Sequence, residues 1–118
     1  MSNFKQYLNE KLEDQVKIEF DFKKSPWAKG YRKEPDQLDS FDQGDRVSIH
    51  VKNGKFNAEI ENYEEFIRKQ GFPTVKKAVD WAIRNREKLA DENGVDWYIF
   101  GWHVEEDGKH AEFAIGYE

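Results

Sequence analysis

The sequence predicts an α+β domain: a mostly antiparallel sheet of about five strands with helices packed on one face, in the order α-β-β-β-α-α-β-β. Three observations lead there. Asn53-Gly54 stands between two stretches of alternating apolar residues, the favoured arrangement for a tight β-hairpin. Residues 75–91 repeat apolar side chains near every 3.6 positions, as an amphipathic helix does. The final stretch alternates again, about 95–105 and 110–117, around Glu106-Asp107-Gly108-Lys109.

The elements follow in chain order. Ser2 can cap a short helix over 2–12, with Phe4, Tyr7, Leu8 and Leu12 on one side. Val16, Ile18 and Phe20 alternate with Lys17, Glu19 and Asp21, which predicts a strand over 16–22. Residues 23–45 have no period and contain Pro26, Gly30, Pro35 and Gly44, so they read as a long irregular loop. The loop is basic over 23–33 and acidic over 34–45. In the first hairpin Val47, Ile49 and Val51 face Phe56, Ala58 and Ile60.

Asn62 followed by Glu65 resembles a helix capping box, and Tyr63, Phe66 and Ile67 supply an apolar side, so a short helix is expected up to Gly71. Thr74 caps the long helix and Gly94 stands beyond its end. Its expected core face is Val75, Ala78, Val79, Ala82, Ile83, Leu89 and Ala90. In the last hairpin strict alternation puts Trp97, Ile99, Gly101 and His103 on one face. Tyr98, Phe100, Trp102 and Val104 then take the other. Two apolar faces predict a strand inside the sheet. No repeat or linker divides residues 1–118, so a single domain is expected.

Composition limits the function classes. Hydrophobic residues make up 37% and charged residues 36%, with mean hydropathy -1.01, yet aromatics reach 15%. That is a compact aromatic core under a charged surface, not the composition of a disordered chain. Cysteine is absent, which excludes disulfides and thiolate chemistry. The N-terminus has no apolar stretch of signal-peptide type, and the longest uncharged run, 97–104, is far shorter than a membrane span. A cytoplasmic location and no membrane partner are the expectation. The net charge of -5 is unevenly spread. Residues 1–90 hold 18 Lys or Arg against 16 acids, whereas residues 91–118 hold one Lys against eight.

Candidate sites are few. His50, His103 and His110 are the only histidines, and two can meet across the last hairpin beside Glu105 or Glu112. None has the sequence spacing of a known metal signature, so no metal or other cofactor is expected. Glu105, Glu106, Asp107 and Glu112 cluster at a solvated hairpin tip, a poor place for general acid-base work. Ser2, Ser25, Ser40 and Ser48 lie in no nucleophile elbow. A small hydrolase-like enzyme is therefore the third reading.

The first reading is a small interaction or regulatory domain, an acidic inhibitor or adaptor that binds a basic protein surface, with self-association as a variant. Its contact residues are Trp27, Tyr31, Lys29 and Arg32 in the loop and Glu105, Glu106 and Asp107 in the hairpin. The second is a nucleic-acid-binding module using Lys77, Trp81, Arg84 and Lys88, which share one side of the long helix.

Overall fold

The second hairpin and the long helix form where the sequence places them, and the sheet grows around them. The computed structural model describes residues 16–32 and 44–118. Its strands are β1 (Tyr31–Arg32), β2 (Asp45–Lys52), β3 (Lys55–Glu61), β4 (Phe66–Phe72), β5 (Trp97–Val104) and β6 (His110–Tyr117). The helix α1 (Val75–Asn93) lies between β4 and β5 in sequence. Spatial order in the sheet is β1-β5-β6-β2-β3-β4, antiparallel throughout except for β1, which runs parallel to β5. The expected order with three helices and a five-stranded sheet is therefore wrong: the described residues hold one α-helix and a six-stranded mixed sheet. The predicted helix over 2–12 lies outside the described residues, as do residues 33–43 of the predicted loop.

The hairpin β2–β3 turns through Asn53 and Gly54, both at positive φ (53° and 72°), as its tight turn requires. Helix α1 starts at Thr74, whose hydroxyl accepts from the Lys77 N–H, and stops at Gly94 in the left-handed conformation. It buries Val75, Ala78, Val79, Ala82, Ile83 and Ala90. The seventh buried position is Arg86, whereas Leu89 is exposed.

Residues 62–72 correct the expectation of a short helix. Asn62 does act as a cap acceptor: its Oδ1 takes the N–H groups of Glu64 and Glu65 at 2.8 and 2.9 Å. The Asn62 N–H also donates to the Glu65 carbonyl (3.1 Å), which closes a turn. The chain then leaves as β4 and pairs with β3, Ile67 opposite Ile60 and Phe72 opposite Phe56. One local hydrogen-bond pattern serves a helix start and a strand reversal alike, and the apolar row on β3 selects the second. Tyr63 and Phe66, the expected helix face, are 87% and 56% exposed.

The 16–22 strand is corrected too. Its alternation governs burial, since Ile18 and Phe22 are buried while Lys17, Glu19 and Asp21 are exposed. Among the described residues it joins no strand, and Phe22–Lys24 winds into a 3-10 turn capped by Asp21. Residues 16–31 instead cover the part of the sheet's inner face that α1 leaves open. Phe22 stacks on Tyr31 (4.9 Å) and meets Phe20, Trp102 and Phe113 edge-on. Full burial of one such ring stabilises by roughly 1.5–3 kcal/mol. Within the predicted loop, residues 28–32 form a second 3-10 turn and β1.

Strand β5 breaks its own alternation. A bulge falls between Phe100 and His103, with Gly101 at φ 75°. One extra residue moves everything beyond it to the opposite face. Trp102 and Val104 thus join Ile99 against the core, and His103 joins the outer face opposite Glu112. The result is a compact single α+β domain with a charged surface, and among the described residues no helix is long and apolar enough to cross a membrane.

Candidate functional site

Side chains that point away from α1 form a grid on the outer face of the sheet. Ladder register sets its rows: His110 opposite His50, then Glu112 opposite Ser48 opposite Glu59 opposite Arg68. His103 continues the second row on β5. All three histidines of the chain thus project from one face. The meeting expected across the last hairpin occurs elsewhere: His110 pairs with His50 of β2, their rings stacked at 4.5 Å and 13°.

Carboxylates surround this stack. Glu105 Oε1 lies 3.1 Å from His110 Nδ1, and Glu112 Oε1 lies 3.6 Å from His110 Nε2. Glu59 is 3.5 Å from His50 Nε2. Arg46 approaches Glu112 at 3.8 Å and Arg68 approaches Glu59 at 4.0 Å. These side chains are partly solvated, so each ion pair contributes little to stability by itself.

The turn between β5 and β6 borders the grid. It closes through Gly108 N–H to the Glu105 carbonyl and Glu105 N–H to the His110 carbonyl, both 2.9 Å. Neighbours fasten it from two sides: Ile18 N–H donates to the Gly108 carbonyl (2.8 Å) and Val51 N–H to the Lys109 carbonyl (2.9 Å). Gly108 has no room for a side chain, because a Cβ there would stand 2.9 Å from that of Lys17. Lys109 Nζ reaches back to the Val16 carbonyl at 2.5 Å. Glu105, Glu106 and Asp107 remain exposed and, with His103 and Val104, line a shallow depression of about 560 Å³.

A second polar cluster is buried between α1 and the inner face of the sheet. Asp45, read from sequence as part of an acidic loop, begins β2 and is 2% exposed. Its carboxylate accepts from Asn62 (2.6 Å), from Arg86 (3.4 Å) and, through a short hydrogen bond, from the Tyr117 hydroxyl. Arg86 also donates to Glu65 (2.7 Å) and to Asn85 (2.6 Å). Burial opposes the Arg86 charge, yet Glu65 and Asp45 outweigh it and hold the guanidinium more firmly protonated than usual. Burial, then the Asp45 hydrogen bond and charge, push the Tyr117 phenol far above its ordinary range. Perturbed groups of this kind often mark active sites. Here no described buried side-chain N or O lacks a partner, which makes the cluster a structural clasp. Arg86 was legible in principle: it stands seven residues after Val79 and four after Ala82, inside the core sector of the helix.

The other singled-out residues separate into two groups. Trp27 and Tyr31 are half-buried. The Trp27 indole donates to Asp80 (2.7 Å) and its ring meets Trp97 edge-on, while Tyr31 lies flat on Phe22. Lys29 is exposed, and Arg32 pairs with Glu118 (2.6 Å) and covers Tyr98. On α1, Lys77, Arg84 and Lys88 are exposed, while Trp81 packs on Phe72. Arg84 lies over the Trp27 ring (5.5 Å), so the helix stripe and the basic segment 23–32 are neighbours. The acidic turn sits apart from both, at the far end of β5. No protein-family model matches this chain, and no curated protein or solved structure matches it significantly.

Proposed function

We propose that this domain is an interaction module that binds a basic protein segment at the β5–β6 turn, a binding function with no chemical step of its own. One observation carries the reading. The turn presents Glu105, Glu106 and Asp107 to solvent on a backbone tied down by β2 and by residues 16–18, while its only base, Lys109, is directed inward to Val16. A rigid loop loses little freedom on binding, and three like charges steer and orient a cationic partner.

A second reading has its own observation. Trp27 joins the basic segment 23–32 to the Lys77–Lys88 side of α1, which supports contact with a nucleic-acid backbone. Its weakness is that Trp27, Tyr31 and Trp81 already pack against Trp97, Phe22 and Phe72, which leaves little ring face for stacked bases.

Affinity capture from native lysate with and without nuclease separates the two. The comparison is between wild type, Glu105→Lys/Glu106→Lys and Lys77→Glu/Lys88→Glu. The expected result is a nuclease-resistant protein, lost only with the first variant, whose purified form binds wild type at least about tenfold more tightly than that variant, a 1.4 kcal/mol difference. Nucleic acid recovered by wild type and lost only with the helix variant would replace the first reading with the second.

A further inference from the structure

We propose that Glu105, His110 and Glu112 form a binding site for a divalent transition-metal ion of the zinc type. One ligand atom from each lies within 4.8 Å of the others. Around an ion with bonds of 2.0–2.1 Å, tetrahedral donors stand about 3.3 Å apart. Rotation of the two glutamates closes the difference, since Glu105 is exposed and Glu112 only partly buried.

The charge around the ring also favours a cation. A carboxylate lies near each nitrogen of the His110 ring, Glu105 at 3.1 Å from Nδ1 and Glu112 at 3.6 Å from Nε2. A neutral imidazole has one N–H and one lone pair. Whichever nitrogen of a neutral ring carries the N–H, one of the two carboxylates gains no hydrogen from it. A cation on the ring's lone pair compensates the charge of both carboxylates, which lie close enough to turn toward it. His50 lies flat against His110 and is itself near Glu59, which limits tilting of the His110 ring.

One imidazole with two carboxylates suits a borderline ion such as Zn²⁺ better than Mg²⁺ or Ca²⁺, which prefer oxygen alone. A coordination position stays open to water, as in three-ligand zinc sites. No sequence spacing announces the site, because two of its ligands are two residues apart on β6 and the third lies across the turn. The two readings share Glu105, which the lysate comparison changes, but His110→Asn and Glu112→Gln leave the acidic turn intact and so test the metal site separately from partner binding.

The test is calorimetric titration of tag-free full-length protein with Zn²⁺ in a non-coordinating buffer. Wild type is expected to bind one ion per chain. His110→Asn is expected to abolish binding, and Glu112→Gln and Glu105→Gln each to weaken it by about tenfold or more. His103→Asn is expected to bind as wild type does. Circular dichroism of each variant establishes that it is folded, and the two glutamine variants carry the test should His110→Asn misfold. Absence of Zn²⁺ binding by wild type, equal binding by folded His110→Asn, or loss in His103→Asn alone overturns the proposal.

Discussion

Strands β2 and β6 carry a polar cluster at each end, Asp45 and Tyr117 at one and His50 and His110 at the other. Both clusters set carboxylates against a cation or a ring, and both are positioned by the same antiparallel ladder. They differ in which way the side chains point. Asp45 and Tyr117 point inward under α1, where Arg86, Asn62 and Glu65 complete every hydrogen bond. His50 and His110 point outward, where water competes for each pair. A closed network is costly to break and has nothing left to bind. The open one contributes little to stability and keeps its ligand capacity.

The largest expected effect lies in the clasp. Asp45→Ala leaves Arg86 with Glu65 as its one acidic partner among the described residues, and removal of one partner from a buried pair costs about 3–5 kcal/mol. Urea denaturation measures it. Asp45→Leu/Arg86→Met, which removes both charges, is expected to recover most of that loss. A cost below about 1 kcal/mol for Asp45→Ala would mean that the two clusters do not differ as argued.

Alkaline pH gives an intermediate effect. Tyr117 keeps its proton in the folded state, whereas an unfolded tyrosine ionises near pH 10. Below pH 10 both states are protonated and stability does not depend on this group. Above it the unfolded chain loses its proton first, so stability falls, by up to about 1.4 kcal/mol per pH unit for each such tyrosine. Tyr117→Phe is expected to reduce the slope between pH 10 and 11. Tyr31, raised chiefly by burial, keeps part of it. An unchanged slope in Tyr117→Phe would place the titrating group elsewhere.

The smallest effect belongs to the outer face. Without metal, His110→Asn and Glu112→Gln are each expected to change stability by about 0.5 kcal/mol or less, as exposed pairs do. A loss of about 2 kcal/mol in either, read by the same denaturation, would make the outer grid a second clasp and erase the contrast.

Much of this domain follows from local sequence. Asn53-Gly54 dictates the first hairpin because few other residues accept positive φ at both turn positions. Thr74 and Gly94 bound α1 because one supplies an acceptor and the other the left-handed exit. Period two gives the inward residues of β2, β3 and β6, and even the burial of Ile18 and Phe22, though not their place outside the sheet. What needed the tertiary structure were choices between locally equivalent outcomes. Asn62 makes the same side-chain hydrogen bonds in a helix cap and in a turn, and only the apolar row of β3 decides for β4. The Gly101 bulge re-aims Trp102 and His103, and glycine in a strand is compatible with either register. Arg86 enters the core because Asp45 and Glu65, distant in sequence, wait there to satisfy it. The His110 site likewise depends on sheet order: β2 lies beside β6, which brings His50 against His110 across sixty residues of chain, and nothing local encodes that neighbour.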